Sequence, residues 1–198
     1  RVTTWGPEGR ARLRIVALAE RPDRFRIETL SPFEEPLDVV ATNGQRLYWL
    51  SREHLKIGPA TSDRIGEVLP LPLAPDAVVD VLLGGVPSRD GWQAVDIAFD
   101  EGDLRLMLRD ERGRVATAWV AADEPRLLRV KLPPTELQPA IDVRWEDHRE
   151  GIARKIAFEI PDRDLRVDIR LDDVRLDEPI PEARFQIDPP PGRRADSW

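Results

Sequence analysis

Two histidines, His54 and His148, are the only imidazoles in the 198-residue chain, and both sit among charged neighbours in stretches that read as turns. Two imidazoles hold zinc only with further ligands, and nothing in the pattern brings carboxylates beside them, so both read as surface histidines. Nucleophilic chemistry has no better footing. The chain has no cysteine, which also leaves its redox compartment open, and no serine stands in a Gly-x-Ser-x-Gly elbow. Carboxylates recur as Asp162/Asp164 and Asp172/Asp173. Adjacent residues of a strand point to opposite faces, so Asp172 and Asp173 make a poor acid and base pair. No EF-hand spacing surrounds Asp162-Arg163-Asp164, and no glycine-rich phosphate loop occurs. The expectation is a chain with no catalytic residue, no metal and no cofactor, and therefore not an enzyme.

What remains is apolar surface and the elements that must position it. Hydrophobic residues make up 41% of the chain, enough for a substantial core, and the length suits one domain spanning 1–198. Lys and Arg (30) are interleaved with Asp and Glu (37), so the net charge of -7 is spread along the chain. Nucleic-acid binding, which needs a basic face, is not expected. No run approaches the ~18–20 apolar residues of a membrane-spanning helix. The chain opens at Arg1 without an initiator Met, which suggests that a leader or a lipid-bearing terminus has been removed.

Alternation with a period of two dominates, and arginine often marks the polar face. Arg10, Arg12 and Arg14 alternate with Ala11, Leu13 and Ile15; Leu165, Val167, Ile169 and Leu171 alternate with Arg166, Asp168, Arg170 and Asp172. Phe25/Ile27 and Leu104/Leu106/Leu108 follow the same rule. Turn residues punctuate the strands at Gly6-Pro7-Glu8-Gly9, Pro22-Asp23, Asn43-Gly44, Asp100-Glu101-Gly102, Glu111-Arg112-Gly113, Asp147 to Gly151 and Pro161-Asp162. These signals predict a mainly β (α+β) chain, an incomplete antiparallel β-barrel of about ten or eleven strands with one wet face.

The rhythm breaks between Pro59 and Pro87. Ala60-Thr61-Ser62-Asp63 offers N-caps before Ile65, Val68 and Leu69, and a second segment starts near Ala74-Pro75-Asp76 and runs to Gly84-Gly85. Two short helices joined by Leu69-Pro70-Leu71-Pro72-Leu73 are expected, forming a lid over 59–87. From Pro189 onward, 189–198 reads as an extended tail.

A curved sheet with an apolar inner face must bury that face or use it. The lid is smaller than a second sheet, so a cavity of about 300–1,000 Å³ is one outcome. Leu13, Phe25, Ile27, Val39, Leu47, Trp49 and Trp92 would line it from the sheet, and Ile65, Leu69, Leu71, Leu73, Val78, Val81 and Leu82 from the lid. Six tryptophans, at 5, 49, 92, 119, 145 and 198, either wall this space or simply fill the core. The loop Ser31-Pro32-Phe33-Glu34-Glu35-Pro36 places an aromatic near the tip of a proline-stiffened turn. Phe33 either meets a membrane or partner, or folds back over the barrel end.

The order of these parts resembles a known family. Leu30-Ser31-Pro32-Phe33-Glu34-Glu35-Pro36-Leu37 is followed by Asn43-Gly44-Gln45-Arg46-Leu47-Tyr48, then Ile65-Gly66-Glu67-Val68-Leu69-Pro70-Leu71-Pro72-Leu73, then Val81-Leu82-Leu83-Gly84-Gly85-Val86-Pro87. This looks like the outer-membrane lipoprotein receptor family LolB, within the LolA/LolB-like lipoprotein-carrier fold. The likeness is clearest from about Arg24 to Trp92 and architectural beyond. It implies that the residue after the tip proline, Phe33 here and leucine in the family, helps deliver lipoproteins into the outer membrane, with Pro32 shaping the tip. The second helix ends differently, the family favouring a Leu-Gly-Leu-Pro-Gly-like turn, and the family's lipid-modified N-terminal Cys is absent from this chain.

The resulting expectation is a monomer in the periplasm, anchored to the outer membrane by a lipidated N-terminus. It would bind the acyl chains of lipoproteins handed over by a LolA-like periplasmic carrier and help insert them at the outer-membrane surface. The alternatives are an envelope interaction module with a solid interior, or a lipoprotein sensor of the same fold without transfer activity.

Overall fold

The computed structural model describes residues 1–7, 9–52, 54–87, 91–136, 138–189 and 194–198. Within them the alternating segments become strands: β1 (Val2–Gly6), β2 (Gly9–Glu20), β3 (Arg24–Leu30), β4 (Pro36–Asn43), β5 (Arg46–Ser51) and β6 (His54–Pro59) precede the helices. After them come β7 (Gln93–Asp100), β8 (Asp103–Arg109), β9 (Val115–Val120), β10 (Leu127–Leu132), β11 (Ile141–Arg149), β12 (Ile152–Ile160), β13 (Leu165–Arg170) and β14 (Asp196–Ser197). All belong to one sheet, ordered β14-β6-β5-β4-β3-β2-β1-β13-β12-β11-β10-β9-β8-β7. The mainly β, open curled architecture is the one the patterning predicts. The count is fourteen where ten or eleven strands are expected.

Two features account for part of the difference. The turn between β5 and β6 includes Arg52 in a left-handed conformation (φ 51°) with no glycine to announce it. The two-residue β14 pairs in parallel with β6, Asp196 opposite Lys56 and Ser197 opposite Ile57, which no alternation could reveal. Where glycine is present the hairpins form as expected: Glu101-Gly102 and Glu150-Gly151 take positive φ at both positions, the geometry of a two-residue type I′ turn.

The twelve-residue β2 serves both halves of the sheet. Its first part pairs with β1, Val2 facing Leu13, and its second part with β3, Ala17 facing Ile27 and Ala19 facing Phe25. β1 then pairs with β13, Val2 opposite Ile169, which joins the two halves.

The two short helices also form where they are predicted. α1 (Ser62–Val68) starts at Thr61, whose hydroxyl accepts from the Arg64 amide, and α2 (Pro75–Leu83) begins with a proline, whose missing N–H costs nothing there. α2 packs across β2, β3 and β12, and α1 lies against β5. One continuous core fills the space between the helices and the inner face of the sheet. A second, smaller cluster lies on the outer face: Ala41, Tyr48 and Leu55 are covered by Ile187 and Ala195 of the C-terminal segment.

Candidate functional site

The helix-bearing face of the sheet gathers most of the expected lining residues. Phe25, Leu47, Ile65, Leu73, Val78 and Val81 are fully buried, Ile27, Leu71 and Leu82 nearly so, and Trp49, Leu69 and Trp92 border the same cluster. Leu13 shares this face but stays 38% exposed, outside the core.

Val39 is a correction. Val40 faces Ile27 and Trp49 across the ladder and enters the main core. Its neighbour Val39 must therefore face outward, where it is buried in register with Glu28 and Leu50. Outward apolar positions on β4 and β5 are covered by the C-terminal segment, with Phe185 of the short turn Glu182–Phe185 fully buried against β3 and β4. A strand buried on both faces hides its parity, because both sets of alternate residues are apolar.

The second half of the sheet supplies inner-face residues beyond the expected cavity lining. Val143 and Trp145 on β11, Ile156 and Phe158 on β12, and Val167 and Ile169 on β13 are all buried in the same cluster. Their signal is the plain alternation of β12 and β13. At the far end, Ile97 and Phe99 on β7 share the face of Leu106 and Leu104 yet are 61% and 80% exposed.

The lid is seated on this surface. Trp145 donates its indole N–H to the Val81 carbonyl at 2.9 Å, and Arg21 holds Asp80 of α2 at 2.6 Å. Four open pockets of 260–540 Å³ lie on the outer face, at strand ends and beside the C-terminal segment, and none of these four is lined by a residue of α1 or α2.

The tryptophans divide between roles. Trp145 fills the core, while Trp49, Trp92 and Trp198 border it. Trp5 and Trp119 lie on the outer face: Arg10 and Arg166 stack over Trp5 at 5.3 and 5.4 Å, and Arg129 stands 5.1 Å from Trp119.

The loop between β3 and β4 is rigidly braced. The Ser31 hydroxyl accepts from the amides of Phe33 and Glu35, the Ser31 amide donates to the Glu35 carbonyl at 2.8 Å, and Arg14 pairs with Glu34 at 2.8 Å. Pro32 is exposed, and Phe33 is 86% exposed at the tip. Phe33 does not fold back over the barrel end.

Acid and base residues are dispersed. His54 is exposed at the start of β6. His148 is a correction, half-buried on β11 next to Asp147, whose backbone is left-handed (φ 54°). Burial, aided by Arg126, lowers its pKa below the usual histidine value. Asp172 and Asp173 lie past the end of β13, exposed, and Asp172 pairs with Arg1. Among the described residues no group of three or more His, Cys, Asp or Glu side chains gathers as a metal site. No helix among them is long and apolar enough to cross a membrane.

This geometry, an open curled sheet wrapping two short helices, is that of the LolA-type incomplete barrel, and solved structures share it. A LolA superfamily protein from Nitrosomonas europaea matches with a TM-score of 0.63 at 14% identity, over 94% of this chain and 87% of that one. A DUF1329 family protein from Desulfovibrio piger matches with a TM-score of 0.68 at 11% identity, over 93% and 86%. A domain described as an outer membrane lipoprotein-sorting protein, from Vibrio parahaemolyticus, gives 0.57 at 9% identity, over 93% and 86%. No family model matches the sequence, and no curated protein matches it. At these identities the likeness is one of fold.

Proposed function

We propose that the chain works as a single lipid-binding domain that accepts the acyl chains of lipoproteins beneath its helical lid and passes them to the outer membrane. The observation that carries this reading is Phe33: an aromatic side chain 86% exposed on a braced tip, beside a lidded apolar face. Burying a phenylalanine contributes about 1.5–3 kcal/mol, so a stiff loop that keeps one in water sets that gain aside for a membrane or a partner. A LolB-like receptor role follows, with a LolA-like carrier as donor, the periplasm as compartment, and a lipidated N-terminus as anchor. The protein acts as a monomer and by binding, with no bond-making chemistry.

In the lid-down state the lining residues pack against one another, so binding requires the helices to lift. Each acyl CH₂ then buried contributes about 0.8 kcal/mol, enough for a partly inserted chain to offset the apolar surface uncovered as the lid rises.

The packed core favours a second reading, an interaction module whose interior never opens; Ile65, Leu73, Val78, Val79 and Val81 are all fully buried. Native mass spectrometry with a triacylated lipopeptide separates the two. A one-to-one complex that disappears when the acyl chains are removed supports the receptor. A bare protein at every lipopeptide concentration overturns it.

A further inference from the structure

We infer that the C-terminal segment is a clasp that holds the lid shut by carrying Trp198 around the edge of the sheet onto α1. The inference rests on the lipid-binding reading for its purpose, though not for its geometry. Ile187 and Ala195 lie on the outer face, against the cluster of Tyr48 and Leu55. Asp196 and Ser197 then pair along the edge of β6, and the Trp198 amide donates to the Ile57 carbonyl at 3.2 Å. At this point the chain crosses to the inner side. The Trp198 ring packs against Trp49 with centroids 6.0 Å apart, and its indole N–H donates to the Glu67 carboxylate of α1 at 2.8 Å. Lys56 stands over both rings, 5.4 Å from Trp49 and 5.8 Å from Trp198.

Three features make this a fastening. β14 is only two residues long, so few backbone bonds hold it, and Trp198 and its contacts carry the attachment. Gly58 leaves room for it: a Cβ there would stand 2.7 Å from the Trp198 Cβ and 2.8 Å from the Arg64 guanidinium. The bond to Glu67 joins the tail to the lid itself, so α1 cannot lift from β5 without breaking it. α1 has seven residues, one fully buried side chain, Ile65, and a partly buried Val68, so a helix this short depends on what holds it against the sheet. Opening therefore begins with release of Trp198, and whatever competes for the Trp49–Lys56 platform or the β6 edge also opens the lid.

The test compares the parent protein with Trp198→Ala and Glu67→Gln, using hydrogen exchange of the α1 amides and the uptake rate of cis-parinaric acid, a fluorescent fatty acid. Trp198→Ala should raise exchange at Ile65 and Leu69 by about tenfold while β11 and β12 stay unchanged, and should speed fatty-acid uptake several-fold. Glu67→Gln, which weakens one bond and keeps the ring stacking, should show a smaller rise in both. Unchanged α1 exchange in Trp198→Ala overturns the clasp. Faster exchange with no uptake by any of the three proteins supports the clasp and overturns the lipid-binding reading instead.

Discussion

The indole nitrogen of Trp145, buried on β11, donates to the carbonyl oxygen of Val81 near the end of α2 at 2.9 Å. The last carbonyls of any helix lack an intrahelical partner, and this one finds its donor in the sheet, so a single side chain both fills the core and satisfies the lid.

Trp145→Phe keeps most of the ring and removes the donor. The expected cost is about 1–2 kcal/mol in urea unfolding, because the Val81 carbonyl is left buried without a partner. Truncation to alanine should cost about 3–5 kcal/mol by opening a cavity. If the phenylalanine variant matched the parent, water would be reaching that carbonyl.

Phe33→Glu should leave stability within about 0.5 kcal/mol of the parent, since Phe33 has no packing to lose. Acyl-chain binding should persist and transfer to outer-membrane vesicles should cease. Equal transfer by both proteins, followed with a fluorescent lipoprotein, removes Phe33 from the mechanism.

Gly66→Ala tests the seat of the lid. Alanine ordinarily stabilises an exposed helical position by up to about 1 kcal/mol over glycine. Here the new methyl would lie 2.8 Å from the Pro72 Cβ and 3.2 Å from its Cα, so α1 and the Leu-Pro-Leu-Pro-Leu linker must part. Thermal unfolding should show destabilisation of about 1–3 kcal/mol, a reversal of the usual sign.

Stability should fall on acidification in two stages. The pKa of His148 is lowered by burial, with Arg126 adding to the effect. The unfolded chain therefore binds that proton first, and stability present above about pH 6.5 declines below it. For Asp110 the largest influence is burial, which raises its pKa, but hydrogen bonds from the Arg114 side chain and from the amides of Arg114 and Arg112 outweigh it, and the net pKa is lowered. Its contribution is complete above about pH 4 and is lost as pH falls through the lowered value. Urea midpoints across about pH 2–8 should show both steps, with His148→Gln flattening the upper one and Asp110→Asn the lower.

The parts of this architecture that alternate cleanly could be read from residues alone. Leu165 to Ile169 shows its inner face because every second residue is polar, and Thr61 announces its helix because its hydroxyl caps it. Val39 and Val40 could not be told apart, since each has an apolar layer to enter and local pattern carries no record of which layer comes from far along the chain, at Phe185. The exposure of Phe33 was legible only as one of two outcomes. The four bonds made by Ser31 decide it, and a serine before a proline does not advertise them. The placement of Trp198 depends on a parallel strand of two residues, which leaves no period to detect.

The pairing of Val2 with Ile169 joins the two halves of the sheet across nearly the whole chain. Neighbouring hairpins can form as soon as each turn emerges, but β1 lacks one of its two neighbours until β13 exists. A chain still being extruded therefore carries an open strand edge for most of its synthesis, and the two halves of its sheet join only through a slow, long-range closure. Truncation anywhere before Arg170 should therefore leave that edge unpaired and yield an aggregating product in place of a smaller folded one.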